Sequence, residues 1–479
     1  MADLFDSKVD ETIRLTLRDD VVRREEQRMD NSWSRLAMLW DDYGDDVRAR
    51  LNKYVSTETM MNPETGQGIQ DFIDTSNNIY KAVINDLAMV YKVPPVRTWS
   101  DSEKEWEHIY GVSIRNGKKS SNKTNQMWKK VNRYVMALND VYLYVVWRNE
   151  AIAVDVLTPN VLRIIPEPLD PTKPHTIMIK IAVDVTATSE LGADHYYIVW
   201  TPDEHYLLTN QGGAWIPVPV EGNEKMINPY GVLPFVGIHK SQNETMWNET
   251  GGDDLYQLGL STSAMQSIWL YNWTWHNFKQ MYISTNKELS QGLGRAPDKV
   301  IAVPEDSEVG ILDWSINTKE LQEDIMNRAA LIAANYGVDL RQMLGLIEES
   351  GRRLQLKQAK LIENRENQLQ IFEDAELDTA EIIRVVYEKN TGKKLSGAME
   401  IMFPEIEVHQ TPMEKLKTQE KKTFMGLESI IDVHLKENPT FSRDESKAKV
   451  KQNIEENNEI NGMKDESIND ELNAGGDVE

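Results

Sequence analysis

The sequence contains no cysteine, and its basic residues are scarce relative to its acidic ones. The absence of cysteine excludes disulfides, thiolate metal sites and cysteine nucleophiles. The 53 Lys and Arg residues stand against 77 Asp and Glu, which gives a formal net charge of −24 over 479 residues. Because phosphate affinity comes from Lys and Arg that displace counterions, this balance argues against a protein that grips nucleic acid over a broad basic surface. It leaves open a protein that touches DNA without holding it.

Long apolar runs and a signal-like opening are also lacking. The best candidate for a membrane span, residues 255–275, contains eight polar residues, which is too many for a hydrocarbon core. Residues 1–6 have neither a basic region nor an apolar run, so we expect no signal peptide. With 40% hydrophobic residues and 13 Trp, the chain can build a sizeable core.

The common catalytic motifs are absent as well. The nearest approach to a phosphate-binding loop, residues 391–394, lacks the upstream glycine, so we predict that the chain is not a P-loop motor by itself. The eight histidines include no pair at i, i+4, and no Gly-x-Ser-x-Gly elbow occurs. The four aspartates of residues 41–46 lack calcium-loop spacing and indicate a solvated turn. We predict no catalytic residue, no metal site and no cofactor.

Hydrophobic periodicity predicts a mainly helical α+β protein. Helices are predicted over 7–43, 69–92, 103–110 and 124–138, followed by an antiparallel region of six to eight short strands over 141–239. The helical period returns over 253–282, where five aromatic residues between Trp269 and Phe278 girdle the helix. That arrangement favours packing against neighbours on several sides, which other subunits can supply, over a stacking platform for sugars or bases.

The C-terminal half alternates a short β insert with helices. Residues 286–314 carry glycines, prolines and two strand-like runs, 299–303 and 309–312. A helix follows, capped by Asn317 with Glu320 and stopped by Gly337. Residues 352–391 lack Gly and Pro and predict one helix of about 60 Å. Another helix is predicted over 413–435, and the acidic tail 455–479 should be disordered.

One basic segment interrupts the acidic chain. Residues 108–139 contain no acid and seven bases: Arg115, Lys118, Lys119, Lys123, Lys129, Lys130 and Arg133. Two interpretations have equal weight, a surface that faces nucleic acid and a surface that complements an acidic neighbour such as another copy of the chain.

The order of these parts is more specific than any motif. Two local segments accompany it, Asn-Pro-Tyr-Gly-Val-Leu-Pro-Phe at 228–235 and Ser-Gly-Arg-Arg-Leu at 350–354. Over nearly its whole length the chain resembles the portal (head-to-tail connector) proteins of tailed bacteriophages. The resemblance implies a ring, usually of twelve copies, around an axial channel for double-stranded DNA, with no catalytic residues.

The resemblance also implies a division of the chain into named regions. These are a wing at 1–250, a first stem helix at 251–283, a clip at 284–315, a second stem helix at 316–337, a channel loop at 338–350, a long wing helix at 351–391, a crown-like helical region at 392–454 and an acidic tail at 455–479.

Site residues follow from this division. Arg341, Gln342, Met343 and Leu344 are assigned to the constricting channel loop. Arg295, Asp298 and Lys299 are assigned to the clip, where a terminase and later a neck or tail adaptor dock. Glu320, Glu323 and Asp324, with the acids of 363–381, are assigned to the channel wall or to subunit interfaces, and the seven bases of 108–139 to a patch on the wing.

The implied partners are other copies of the chain, DNA that passes without sequence recognition, the terminase large subunit, the neck or tail adaptor, and the major capsid and scaffolding proteins. No membrane is involved; the expected location is one vertex of the virion capsid, and the host cytoplasm during assembly. Two alternatives remain open at this stage. One is a carbohydrate-active enzyme with an acidic cleft, and the other is a virion structural or adaptor protein without a DNA channel.

Overall fold

The computed structural model describes residues 19–40, 51, 78–115, 118–120, 122–181, 196–211, 214–241, 245–247, 253–276, 280–284, 308–312, 318–338, 351–405, 420–427, 429–437, 443 and 445–456. The chain divides into two compact units. The first comprises residues 1–349 and 356–406, and the second comprises residues 350–355 and 407–479. The fold mixes helix and sheet, as predicted.

Seven helices are named here in the order of the chain. They are α1 (Asp19–Trp40), α2 (Ile79–Leu87), α3 (Glu103–Ile109), α4 (Asn122–Leu138), α5 (Asp253–His276), α6 (Thr318–Asn335) and α7 (Gly351–Thr391). The predicted helices over 103–110, 124–138, 317–337 and 352–391 are confirmed to within about a turn wherever the structure describes them. The predicted helix over 253–282 is confirmed as far as His276 but is wrong at its C-terminal end, because Gln280–Ser284 form a strand that pairs with Glu308–Leu312. Of the predicted helix 7–43, residues 19–40 are described and are helical.

The predicted helix 69–92 is wrong at its C-terminal end, because α2 stops at Leu87. The amide of Val90 donates to the side chain of Asn132 at 3.3 Å instead of a helical carbonyl. Leaving the helix here also buries Tyr91, whose ring stacks on Trp128 in the core. Tertiary packing has overridden a local helical periodicity that would have continued almost to Pro94 and Pro95.

The predicted antiparallel region is confirmed and contains eight strands. They are β4 (Asp140–Arg148), β5 (Ala151–Leu157), β6 (Leu162–Glu167), β7 (Asp170–Ile181), β8 (Tyr196–Trp200), β9 (His205–Gln211), β10 (Ala214–Val218) and β11 (Phe235–His239). They form a three-stranded sheet of order β11-β4-β5 and a five-stranded sheet of order β10-β9-β8-β7-β6.

Three further strand pairs complete the first unit. Strands β2 (Ser113–Arg115) and β3 (Lys118–Ser120) pair within the basic segment, and β12 (Gln280–Ser284) pairs with β13 (Glu308–Leu312). Strand β1 (Val96–Trp99) pairs with β14 (Met399–Met402), which lies about three hundred residues later in the sequence. The β2–β3 and β1–β14 pairs were not predicted, whereas the strand at 309–312 was.

The main core lies among α1, α2, α4, α5 and β4, and Phe372 of α7 is buried in it. Helix α5 is buried on all sides near its start, since residues 255, 256 and 258–264 are all buried. The side chains of the aromatic cluster after Leu270 lie outside the described residues. Among the helices that the structure describes, none is long and apolar enough to cross a membrane.

The second unit contains helix α8 (Ile430–Glu437) and a helical stretch at 445–456. The predicted single helix over 413–435 is wrong, because the chain breaks at Gly426, whose φ of +71° favours glycine. A new helix starts at a reciprocal cap in which Ser429 and Asp432 exchange hydrogen bonds of 3.1 Å between side chain and amide. The first two residues of the predicted disordered tail are helical, and residues 457–479 lie outside the description.

Candidate functional site

Helices α5 and α6 form an antiparallel pair that is joined through the β12–β13 ladder. At one end of the pair, the Tyr336 hydroxyl just beyond α6 hydrogen-bonds the Asp254 carboxylate in the first turn of α5. At the other end, the ladder pairs Gln280 with Leu312 and Ser284 with Glu308. The chain therefore runs along α5 to the β12–β13 strand pair, called the arm below, and runs back along α6.

Helix α6 ends where the sequence predicted, at a Schellman turn. The amide of Val338 donates to the Ala333 carbonyl at 3.1 Å, and the amide of Gly337 donates to the Ala334 carbonyl at 3.0 Å. Gly337 has φ of +77°, the left-handed conformation that this turn requires. The stop fixes where the chain turns away from the helix pair toward residues 339–350.

The three acids predicted for a channel wall lie together at the start of α6. Glu320, Glu323 and Asp324 are all exposed on the side of the helix opposite the buried Ile325 and Ala329. The same face continues to Leu331, which is 72% exposed. This surface is therefore acidic at one end and apolar further along, and the chain's own core does not cover it.

The residues predicted for the channel loop and for the clip lie outside the described part of the chain. They are Arg341, Gln342, Met343 and Leu344 for the loop, and Arg295, Asp298 and Lys299 for the clip. The described strands β12 and β13 flank the segment that holds the three clip residues.

The basic segment folds as the β2–β3 hairpin followed by α4. The hairpin backbone carries Arg115, Lys118 and Lys119, whose side chains lie outside the description. On α4, Lys123, Lys129 and Lys130 are exposed and Arg133 is half-buried. At 100° per residue these four lie within an arc of about 120°, so the described bases share one face of the helix. That face is called the basic stripe below.

The opposite side of α4 is buried through Trp128, Val131 and Val135. None of the four bases forms an ion pair with any residue that the structure describes. The Lys130 ammonium lies 5.2 Å from the centroid of the Tyr134 ring, which is a contact with an aromatic ring and not with a carboxylate. The three lysines of the basic stripe thus face outward and find no carboxylate partner among the described residues.

Helix α7 carries a matching acidic face. Glu363, Glu366, Glu373, Asp374, Asp378 and Glu381 are exposed and fall within an arc of about 140°, over about 27 Å of helix. This set is called the acidic stripe below. Glu381 meets Arg384 at 3.5 Å, and the described residues offer no other ion pair to the stripe. Burial, and then the charges of Asp374 and Glu381, raise the pKa of Asp378.

The buried side of α7 is anchored by an ion pair that was not predicted. Arg97 of β1 donates to Glu376 through Nε at 2.5 Å and through Nη2 at 2.7 Å, and the Tyr91 hydroxyl donates to the same carboxylate at 2.7 Å. Nη1 of Arg97 donates to Asn125 of α4 at 2.7 Å. Burial raises the pKa of Glu376, against the opposing effect of Arg97. This network holds α7 against β1 and α4 and so fixes where the acidic stripe points.

One cavity of about 290 Å³ lies between α1 and the start of α5. Three arginines and two aspartates line it, together with Trp247. Arg28 stacks 3.8 Å from the Trp247 ring centroid and donates to two backbone carbonyls, while Arg35 pairs with Asp253. Asp140, the other aspartate, lies 2.7 Å from His239. Both aspartates have basic partners within the fold and arginines outnumber aspartates in the lining, so this cavity is not the acidic cleft of a carbohydrate-active enzyme.

Within the residues that the structure describes, no group of three or more His, Asp or Glu side chains could hold a metal ion. His205 stacks on Trp200 at 3.5 Å between ring centroids, and burial lowers its pKa. Its role is packing.

Comparisons with known proteins give low similarities. No protein-family model matches the sequence, and no curated protein matches it. Similar solved structures include the neck of an empty gene transfer agent (GTA) particle computed with C6 symmetry, with a TM-score of 0.38 and 11% identity over 74% of this chain and 87% of that one. A second is the virion of a native GTA particle, with a TM-score of 0.36 and 10% identity over 76% of this chain and 89% of that one. A third is the neck of a native GTA particle computed with C12 symmetry, with a TM-score of 0.36 and 9% identity over 76% of this chain and 89% of that one. Similarity at this level is too low to support a conclusion about function.

Proposed function

We propose that this protein is a viral portal protein. Copies of the chain assemble into a ring at one capsid vertex, and double-stranded DNA is packaged and ejected through the axial channel of that ring. The observation that carries the proposal is the order of parts from residue 253 onward. It consists of two antiparallel helices joined through a two-stranded arm, a stop at Gly337, a short connection and the 41-residue helix α7.

In this proposal, α5 and α6 form the stem, and residues 284–315, which include β13, form the clip. The connection between Gly337 and α7 is the channel loop, with Arg341, Gln342, Met343 and Leu344 at the constriction. Arg295, Asp298 and Lys299 belong to the clip and take part in docking the terminase and then the neck or tail adaptor. Residues 1–250 and α7 form the wing, and residues 392–454 form the crown.

The acidity of the protein suits a conduit. DNA must slide through a channel in both directions, and tight phosphate-binding sites along the wall would hold it back. A wall that presents Glu320, Glu323 and Asp324 from every copy repels the duplex and keeps it near the axis. The net charge of −24 is consistent with such a surface. The chain carries no P-loop motif, so the work of packaging falls to a separate terminase.

Exposed apolar side chains also favour assembly. In the first unit, Leu331 on the acidic face of α6 is 72% exposed. In the second unit, Phe424, Met425 and Leu427 are 93%, 71% and 71% exposed. Large apolar side chains clustered at the surface mark sites of protein–protein contact, and in a ring the neighbouring copies supply that contact.

Native mass spectrometry and electron microscopy of the purified protein test this function. We expect closed rings, with twelve copies as the leading species, and a central hole wide enough for duplex DNA. A small monomeric or dimeric particle would eliminate the portal. A closed or open oligomer without such a hole would instead support a structural or adaptor role in the virion.

A further inference from the structure

The basic stripe on α4 and the acidic stripe on α7 are exposed on one chain without pairing to each other. Their four bases and six acids lie on different helices, and the sole ion pair that either stripe makes with a described residue joins Glu381 to Arg384 within α7. The positions of both helices are fixed by the buried Arg97–Glu376 pair and by Asn125. The opposite charges therefore meet only if they belong to different copies.

We propose that the basic stripe of one copy docks against the acidic stripe of the next copy around the ring. The inference rests on the proposed portal function, since it needs a ring. The contact is heterologous: the base-bearing face of one copy meets the acid-bearing face of the next, and such a contact closes into a ring when the rotation between copies is right. Each basic stripe then meets carboxylates of a neighbouring copy, and no end is left open.

Charge complementarity supports this occupant. The basic stripe spans residues 123–133, or about 15 Å of helix, and the acidic stripe spans about 27 Å. Three further bases, those of the β2–β3 hairpin, come directly before α4 in the sequence. Opposite potentials across an interface fix its register and speed association. Crowded carboxylates around Asp378 lose their mutual repulsion when bases of a neighbour approach them.

A second copy of the chain is a better partner for the basic stripe than DNA is. Four bases on one helix that pair with no described carboxylate would hold phosphates through counterion release, and a conduit is impeded by a surface that retains its cargo. Binding of nucleic acid by the basic stripe would give a distinct outcome in the charge-reversal experiment.

Charge reversal in full-length protein tests the interface. One variant reverses the basic stripe with K123E, K129E and K130E, and the other reverses the acidic stripe with E363K, E366K, E373K, D374K and D378K. A matched control, K104E with K180E and K225E, reverses three exposed lysines elsewhere in the first unit. Circular dichroism and thermal unfolding establish that each variant is folded, and native mass spectrometry measures the fraction in rings.

We expect each stripe variant alone to lose ring formation at least tenfold, because like charges then face each other at every contact. An equimolar mixture of the two should restore rings, with the two variants alternating and an even number of copies. The control should assemble as the wild type does.

Three results would overturn the inference. Rings that form normally from either stripe variant would show that the altered stripe is not a subunit interface. If the basic-stripe variant forms normal rings but loses retention of duplex DNA, the basic stripe binds nucleic acid instead. A mixture that fails to restore rings shows that the two stripes do not meet. If the wild type itself forms no ring, the proposed function falls and the interface with it, whereas wild-type rings that tolerate both reversals contradict the interface alone.

Discussion

The two faces of α7 carry the same kind of side chain in opposite environments. Glu376 is fully buried and receives hydrogen bonds from Arg97 and Tyr91. Glu373 and Asp374, within one turn of it, are exposed, and neither pairs with a base among the described residues. The buried carboxylate holds the helix within its own chain. The exposed ones contribute little to that chain and remain available to a neighbour.

Removing the buried charge should have the largest effect on folding. Glu376→Gln leaves the Arg97 guanidinium buried without its counter-ion, which should lower the free energy of unfolding by about 3–5 kcal/mol. Urea unfolding followed by tryptophan fluorescence measures this loss. The matched control is Glu373→Gln, the same chemical change on the exposed face, which should stay within about 0.5 kcal/mol of the wild type. Equal losses in the two variants would erase the distinction between the faces.

Removing one hydrogen bond to the buried carboxylate should have an intermediate effect. Tyr91→Phe keeps the ring that stacks on Trp128 and deletes the hydroxyl that donates to Glu376 at 2.7 Å. We expect a loss of about 1.5–3 kcal/mol in the same unfolding assay, as for a bond to a charged group. Tyr387→Phe, on α7 but outside this network, is the control and should change stability little. A Tyr91→Phe protein as stable as that control would show that the hydroxyl does not support the ion pair.

Neutralising the exposed carboxylates should hardly change the stability of the folded chain. The triple variant E373Q, D374N and D378N removes like charges that form no ion pair with any described residue, so its free energy of unfolding should stay within about 0.5 kcal/mol of the wild type. The measurement is made on monomeric protein, so that subunit contacts do not contribute. A loss of several kcal/mol would mean that the acidic stripe stabilises its own chain and is not reserved for assembly.

The smallest effect concerns pH. Burial and neighbouring carboxylates raise the pKa of Asp378 above its ordinary value of 3.8, so the folded chain holds this proton more tightly than the unfolded chain does. Asp378 therefore makes stability fall as the pH rises from about 3.8 through its raised pKa. Asp378→Asn should remove that fall, so that the free energy of unfolding, measured by urea unfolding at a series of pH values, changes less over this range.

Asp170 provides a control of opposite sign for the pH measurement. Hydrogen bonds from Thr172 hold the pKa of Asp170 below its ordinary value, so its contribution to stability is lost as the pH falls through that lowered pKa. Asp170→Asn should therefore flatten the acid side of the profile. If Asp378→Asn and Asp170→Asn changed the dependence of unfolding free energy on pH in the same direction, the raised pKa of Asp378 would be contradicted.

Local signals predicted the elements that depend on local sequence. The absence of Gly and Pro over 352–391 gave the bounds of α7 nearly to the residue, and Gly337 marked the end of α6. Alternating β-branched and aromatic residues indicated the strands of 141–239. In each case the periodicity or the stop residue lies within the element itself.

Features that join distant segments could not be predicted in this way. Arg97 and Glu376 are 279 residues apart, and the β1–β14 ladder joins residues just as distant. A buried arginine and glutamate look like ordinary surface charges in a sequence, because only the fold reveals that both are buried. The early end of α2 has the same origin, since Asn132 of α4 supplies the acceptor that draws Val90 out of the helix.

The most direct test of the portal assignment is the position of Gln342 in an assembled particle. The chain has no cysteine, so Gln342→Cys introduces a single thiol that can carry one gold label per copy. Electron microscopy of labelled rings should place the gold at the channel axis, and a Lys104→Cys label should lie far from it. Gold at the periphery for residue 342, or particles without an axial channel, would contradict the account.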